Sequence, residues 1–202
     1  MTSITDGNGA VYITNEYDER GRVVLQTDED GREIQMVYND AEQENTYIVK
    51  ASNSITRYQY DEHLYVTRIN YNDGSYEKYT YDENGNRTSV RARSGYITTY
   101  TYDDRRNVVS ATNALGEVTT FSYTEDNLLI GMVLPGGSEL RMTYDADGNM
   151  TRISTRVSET EWSELTYDYD AQGRVLSVTD SLGAVTSFVY ENLASPVKAV
   201  NA

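Results

Sequence analysis

A tyrosine recurs at a nearly constant interval from one end of this 202-residue chain to the other. The gaps between these leading tyrosines are 21, 22, 21, 21, 21, 21, 25 and 21 residues. They are Tyr17, Tyr38, Tyr60, Tyr81, Tyr102, Tyr123, Tyr144, Tyr169 and Tyr190. A fixed period of this length is typical of a repeat architecture, in which each unit buries its surface only by stacking on its neighbours. The period therefore constrains the fold more than any single residue does.

Each repeat contains two polar turns. The first begins directly after the leading tyrosine, where aspartate recurs as Asp18, Asp61, Asp82, Asp103, Asp145 and Asp170. We expect these carboxylates to accept a hydrogen bond from the backbone NH two residues further on. Glycine follows the tyrosine by four residues at Gly21, Gly85, Gly148 and Gly173. Leu64, Arg106 and Asn127 hold that place elsewhere, and Leu64 and Arg106 are expected to resist a left-handed backbone.

The second turn has a glycine fourteen residues after the leading tyrosine in six repeats. These glycines are Gly31, Gly74, Gly95, Gly116, Gly137 and Gly183. A glycine at a fixed offset predicts a backbone position with positive φ, such as the left-handed residue of a hairpin loop.

The segments between the turns have the spacing of β-strands. Two residues before the leading tyrosines stand large side chains: Met36, Tyr58, Tyr79, Tyr100, Phe121, Met142, Tyr167 and Phe188. A spacing of two places each of them on the same sheet face as its tyrosine. Short strands about every 10 residues with turns between them are typical of antiparallel all-β proteins.

The predicted fold is all-β: a long curved antiparallel β-sheet with two strands per 21-residue repeat. Curvature is expected because twist accumulates over many strands. A β-propeller with two repeats per blade and a parallel β-helix are the alternatives. We predict one domain, 1–202, with a partial repeat at 1–16, eight units at 17–189, and a partial repeat and tail at 190–202.

Two repeats depart from the pattern. The repeat that starts at Tyr38 lacks both glycines and has one extra residue, which predicts an irregular turn near 41–45. The repeat that starts at Tyr144 has four extra residues around 158–164, which we expect to form a loop. That loop would carry Trp162, the only tryptophan, either folded back on the sheet edge or offered to a partner.

Segments such as YDENGNRTSV, YDADGNMTRI and YDAQGRVLSV resemble YD repeats, also called Rhs repeats. The resemblance covers about 6–190. It implies a spiralling β-sheet shell that encloses a hollow, as in toxin-encapsulating bacterial proteins and in the adhesive teneurins, and so a secreted or cell-surface location. Shells of that family have many more repeats, so an arc is expected here. The family's self-cleaving segment has no match, so neither a protease activity nor a cargo is inferred.

The acidic composition narrows the possible partners. The net charge of −15 is spread over every repeat, whereas nucleic acids and anionic membranes bind clustered lysine and arginine. There is no cysteine, no apolar stretch near the roughly 20 residues of a membrane helix, and no basic or apolar leader in MTSITDGNGA. We expect no nucleic acid, no membrane insertion and no cofactor.

The residues that could support catalysis or metal binding are few. His63 is the only histidine and stands in a turn, where we expect it to be exposed. The runs at 28–31 and 145–149 resemble fragments of calcium loops but lack the full ligand set. An aspartate that recurs in six repeats is more simply scaffold than active site, so we expect no catalytic residue and no metal ligand.

The sequence therefore predicts a non-enzymatic structural module that walls off or presents another polypeptide. The alternative is an adhesion module that contacts glycan or protein through the Tyr-rich face and the Trp162 loop. Open sheet edges would also permit self-association.

Overall fold

The computed structural model describes residues 2–5, 7, 11–190 and 198–201, and every regular element in these ranges is a β-strand. The strands are β1 Thr2–Thr5, β2 Val11–Tyr17, β3 Val23–Asp28, β4 Glu33–Asn39, β5 Glu44–Val49, β6 Ser54–Tyr60, β7 Val66–Tyr71, β8 Tyr76–Tyr81, β9 Arg87–Arg91, β10 Ile97–Tyr102, β11 Val108–Thr112, β12 Val118–Tyr123, β13 Leu129–Val133, β14 Glu139–Tyr144, β15 Met150–Arg156, β16 Trp162–Tyr169, β17 Val175–Asp180, β18 Val185–Val189 and β19 Lys198–Asn201.

The chain divides into two compact units, Met1–Thr99 and Tyr100–Ala202. In the first unit each strand pairs antiparallel with the next, from β1 to the start of β10. In the second unit the same holds from β11 to β19. The prediction of an antiparallel all-β fold with two strands per repeat is confirmed. The single domain over 1–202 remains a prediction.

The first turn of a typical repeat is a tight loop closed by backbone hydrogen bonds. The NH of Asp18 donates to the carbonyl of Arg22 at 2.9 Å, and the NH of Gly21 donates to the carbonyl of Asp18 at 3.0 Å. Gly21 has φ 77°, and the register shifts so that Tyr17 pairs with Val23. The same shift recurs beside the leading tyrosines Tyr60, Tyr81, Tyr123, Tyr144 and Tyr169.

Three first turns keep this conformation without glycine. Leu64 has φ 64°, Arg106 has φ 69° and Asn127 has φ 64°. The expectation that Leu64 and Arg106 would resist the left-handed region was therefore wrong. The hydrogen bonds of the turn recur here, with the NH of Leu64 donating to Asp61 and that of Arg106 to Asp103. The strand register and these hydrogen bonds fix the conformation of the loop. The non-glycine residue therefore adopts a left-handed backbone that is unfavourable for it.

Replacing Leu64 with glycine is expected to stabilise the protein by about 1 kcal/mol, because a left-handed conformation costs a non-glycine residue roughly 1–2 kcal/mol, offset in part by glycine's larger unfolded-state entropy. Little packing is lost, since Leu64 is 77% exposed. Arg106→Gly should behave likewise, and thermal unfolding measures both. A lower melting temperature for both variants would show that these turns carry no backbone strain.

The second repeat has two turns of another kind, and here the predicted irregularity is present. Strands β4 and β5 pair without a bulge from Asn39 opposite Glu44, so the loop between them holds four residues. Gln43 supplies its left-handed residue, with φ 51°. The turn between β5 and β6 is similar, with Asn53 at φ 53°.

The four extra residues of the seventh repeat do not enlarge a loop, so that expectation was wrong. They lengthen the hairpin of β15 and β16, whose pairing continues to Arg156 opposite Trp162. The loop beyond that pair holds five residues, as does the loop beyond Val133 and Glu139 in the preceding repeat. Trp162 consequently opens strand β16 instead of lying in a loop.

The two faces of the sheet differ in composition and exposure. Along β8, Tyr79 and Tyr81 are half-buried while Thr80 between them is exposed. This confirms that a leading tyrosine shares a face, here called the tyrosine face, with the large side chain two residues before it. The opposite face carries hydroxyl pairs such as Thr101 with Ser110, 2.6 Å apart. Among the described residues, Met142 is the only apolar side chain that is buried.

Candidate functional site

The leading tyrosines join each repeat to the one before it. Their hydroxyls donate to a backbone carbonyl of the preceding repeat, an arrangement that we call the tyrosine clasp. Among the described residues, six clasps are seen: Tyr38 to Val23 at 2.7 Å, Tyr81 to Val66 at 2.8 Å, Tyr123 to Val108 at 3.0 Å, Tyr144 to Leu129 at 2.7 Å, Tyr169 to Met150 at 2.8 Å and Tyr190 to Val175 at 2.9 Å. A side chain that recurs at a fixed offset thus forms a recurring bond between repeats.

Strand register, not distance along the chain, selects the acceptor of the clasp. Tyr144 donates to Leu129, which is the residue paired with the preceding leading tyrosine, Tyr123. Tyr169 donates to Met150, which is likewise paired with Tyr144, although 19 residues separate donor and acceptor instead of 15. The clasp is therefore preserved across the repeat with the lengthened hairpin.

The clasp places each hydroxyl in a partly dehydrated position. Burial raises the pKa of Tyr38, Tyr81, Tyr123 and Tyr169, because desolvation disfavours the phenolate. A phenolate has no proton to donate to a carbonyl, so the clasp requires the neutral form.

Two leading tyrosines make hydrogen bonds of another kind, Tyr17 and Tyr60. The hydroxyl of Tyr17 accepts a hydrogen bond from Thr2 Oγ1 at 2.8 Å. Tyr102 ends strand β10 and is half-buried. The hydroxyl of Tyr60 accepts from Asn45 Nδ2 at 3.2 Å. Tyr60 therefore reverses the direction of the hydrogen bond that the six clasps share.

Each turn aspartate organises the loop that follows it. Asp145 Oδ1 accepts from the backbone NH of Asp147 at 3.0 Å and from that of Asn149 at 2.8 Å, while Oδ2 accepts from Asn149 Nδ2 at 2.9 Å. The predicted bond to the NH two residues on is confirmed for all six aspartates. A second bond, from the NH four residues on, accompanies it in every case.

These hydrogen bonds favour the charged form of the carboxylate. The side-chain amides of Asn107 and Asn149 hold the pKa of Asp103 and Asp145 below the usual value. The backbone NH groups of Arg22 and Arg174 do the same for the pKa of Asp18 and Asp170. These four carboxylates therefore hold their turns together as anions.

The glycines of the second turn adopt the predicted conformation. Gly31, Gly74, Gly95, Gly116, Gly137 and Gly183 have φ between 76° and 92°. The NH of each donates to the carbonyl three residues earlier, as in Gly116 to Asn113 at 3.0 Å. Glycine at these positions allows the left-handed backbone of the turn. Their importance for the stability of the repeats remains a prediction.

Trp162 of β16 lies beside Arg141 of β14, across the intervening strand β15. Its ring is half-buried, and the guanidinium of Arg141 stacks over it with Cζ 4.3 Å from the ring centroid. Arg141 is in turn held by Glu139 through Nε at 2.8 Å. A partner that bound this indole would therefore also lie close to the guanidinium of Arg141.

The described residues contain no group of three or more histidine, aspartate or glutamate side chains arranged to hold a metal ion. His63 is exposed, and its ring lies near Tyr65 with the centroids 6.1 Å apart. No helix among the described residues meets the length and apolarity needed to cross a membrane. The carboxylates of the two runs that resemble calcium loops accept hydrogen bonds from their own turns, as Asp28 does from the NH of Asp30.

Comparison with solved structures found matches at low sequence identity. A crystal structure of TcdB2-TccC3-TEV is 13% identical with a TM-score of 0.47, and one of TcdB2-TccC3 without its hypervariable C-terminal region is 14% identical with a TM-score of 0.46. A Tc holotoxin pore of Photorhabdus luminescens is 13% identical with a TM-score of 0.40. Each match covers 95% of this chain and 13% or 14% of the other. Comparison with curated proteins found no match.

A family model bears directly on the resemblance to YD repeats. The model described as Teneurin YD-shell matches residues 40–200, which include both compact units of the chain in large part. The tyrosine clasps and aspartate turns described above lie mostly within this range. The chain therefore belongs to the Teneurin YD-shell family.

Proposed function

We propose that this chain is a non-enzymatic structural module, a segment of a curved YD-shell wall that encloses or presents another polypeptide of a secreted or cell-surface protein. The observation that carries the proposal is the tyrosine clasp, which repeats one hydrogen bond from repeat to repeat. Family membership supports the same role.

The exposure of the tyrosine face supports a covering partner. A sheet ordinarily buries its apolar face against a second layer. In the described part of the chain only Met142, at 8% exposure, is an apolar side chain that counts as buried, and the tyrosines are half-exposed. We infer that a polypeptide beyond these residues lies against this face.

The chemistry of the repeats favours scaffold over catalysis. The turn carboxylates accept hydrogen bonds from their own loops, as Asp103 does from Arg105 and Asn107. A general acid or base must instead have its proton or lone pair available to a substrate. The recurring residues are therefore better suited to holding shape than to turnover.

Limited proteolysis tests the enclosing role. In the natural polypeptide that contains this chain, segments outside the repeats should resist cleavage at neutral pH, and deleting 17–189 should expose them. Mass spectrometry of the fragments reads out both states. Equal cleavage of those segments with and without the repeats would contradict the proposal.

An adhesive role is the second candidate, and the half-exposed indole of Trp162 is the observation that favours it. Trp162→Ala should then abolish binding to an external partner while the melting temperature stays within a few degrees, because the ring is only half-buried and the Arg141 that stacks over it is itself exposed. Arg141→Ala is the matched control for lost stacking. Undiminished partner binding by Trp162→Ala would exclude the indole from the contact.

Self-association through the sheet edges remains a prediction, which light scattering over a range of protein concentrations would test.

A further inference from the structure

A cleft of about 430 Å³ opens within the first unit, beside the irregular second repeat. Its walls include Tyr38 and Tyr60 on one hand and the polar residues Gln43, Glu44 and Asn45 on the other. Volumes of this size accommodate small ligands, which are usually held by apolar walls and a few placed polar groups. The cleft lies where the repeat pattern fails, so its chemistry differs from that of the other repeats.

The cleft differs from the other repeats because Tyr60 does not form a tyrosine clasp. Asn45 pairs with Tyr38 and so occupies the place at which Val66, Leu129, Met150 and Val175 stand in other repeats. Its side-chain amide donates to the hydroxyl of Tyr60 at 3.2 Å, and the hydroxyl does not donate to the carbonyl. The proton of the Tyr60 hydroxyl therefore has no acceptor among the described residues.

Two further neutral groups of the cleft are available. Within the described ranges, Asn45 Oδ1 accepts no hydrogen bond, and the side-chain amide of Gln43 makes none. A hydroxyl donor, a carbonyl acceptor and an amide that offers both thus line one cleft. Such a set complements a ligand with several neutral hydroxyl groups.

The charged groups of the cleft are already paired. Asp40 contacts the guanidinium groups of Arg20 and Arg22, the latter at 2.7 Å. Glu44 accepts from Gln59 Nε2 at 3.3 Å and lies 3.9 Å from Arg57 Nε. Since these carboxylates have partners, the cleft does not require an ionic ligand.

From these contacts we propose that the cleft binds a neutral saccharide. The ring of Tyr60 offers an apolar surface, while its hydroxyl, Asn45 Oδ1 and the Gln43 amide bond sugar hydroxyls. The proposal does not rest on the shell role, because the cleft is formed within the second repeat and its neighbours.

Titration calorimetry with maltose, cellobiose, lactose and diacetylchitobiose tests the proposal. At least one disaccharide should bind saturably, and Tyr60→Phe should weaken it about tenfold, the loss expected for one hydrogen bond. The variant should fold, since it keeps the ring and removes a single hydrogen bond, the one that the hydroxyl accepts from Asn45 at 3.2 Å. Gln43→Gly should also weaken binding while suiting the left-handed backbone at this position. Tyr100→Phe, outside the cleft, is the matched control and should bind like the parent chain.

Two results would overturn the saccharide assignment. One is the absence of saturable binding by all four disaccharides to the folded chain. The other is saturation that Tyr60→Phe and Gln43→Gly leave unchanged, which would place the sugar elsewhere. Binding of choline in place of every disaccharide would show that the cleft selects a cation, and would equally refute the proposal.

Discussion

Replacing Tyr123, Tyr144, Tyr169 and Tyr190 together with phenylalanine is expected to lower the free energy of unfolding by about 4 kcal/mol. Each change removes one hydroxyl that donates to a backbone carbonyl, and a hydrogen bond of this kind contributes about 1 kcal/mol. The rings stay in place, so packing is preserved. The four sites share no clasp, and their effects should be close to additive. Urea denaturation followed by circular dichroism measures the sum.

The matched control is Tyr100→Phe combined with Tyr167→Phe. These tyrosines stand two residues before a leading tyrosine, where other repeats have Phe121 and Phe188. No hydrogen bond joins the Tyr100 or Tyr167 hydroxyl to another described residue, so this double variant should match the parent chain within about 0.5 kcal/mol. A fourfold variant as stable as the control would show that the clasps do not stabilise the sheet.

Acid is expected to unfold the chain through its turn aspartates. The folded-state pKa of four of them, Asp18, Asp103, Asp145 and Asp170, is lowered. Their contribution to stability is therefore present above the unfolded value, about 3.9, and is lost as the pH falls through the folded pKa. Circular dichroism should therefore show constant structure above about pH 4 and cooperative loss below it.

Substitutions at Asp145 separate the hydrogen bonds from the charge. Asp145→Ala should lower the melting temperature by several degrees at pH 7, because the NH groups of Asp147 and Asn149 lose their acceptor. Asp145→Asn should lower it less and should reduce the acid dependence. Asn113 shows that an amide oxygen can hold such a turn, since it accepts from the NH of Leu115 and of Glu117. Equal destabilisation by Ala and Asn would assign the effect to charge alone.

The sequence predicted the elements of this fold because period and turn chemistry are local properties. The turn bonds of Asp18 and the left-handed glycines such as Gly116 followed from residue type and offset. The prediction for Leu64 and Arg106 was wrong because the hydrogen bonds of the whole repeat set their backbone conformation and override the preference of the side chain. The four extra residues near Trp162 lengthen two strands because those strands pair further along their length. A single sequence does not show this pairing.

The tyrosine clasp was missed for a similar reason, since its acceptor is a backbone carbonyl and no side-chain pattern marks it. One signal was present. All nine leading positions are tyrosine and none is phenylalanine, whereas the position two residues earlier also admits Met36 and Phe121. A ring that only packed would tolerate the loss of its hydroxyl. The cleft at Tyr60 was not foreseen because it arises where Asn45 replaces an aliphatic residue opposite a leading tyrosine.

Alkaline titration tests most directly whether the hydroxyls hold the repeats together. Tyrosine ionisation is followed by ultraviolet absorbance, and the sheet by circular dichroism, on one sample. Because the folded pKa of Tyr38, Tyr81, Tyr123 and Tyr169 is raised, their clasps should be intact below about pH 10 and be lost as the pH rises through the folded pKa. The ionisation of these four tyrosines should therefore coincide with unfolding. Full ionisation of the tyrosines near pH 10 with an unchanged sheet signal would contradict the account.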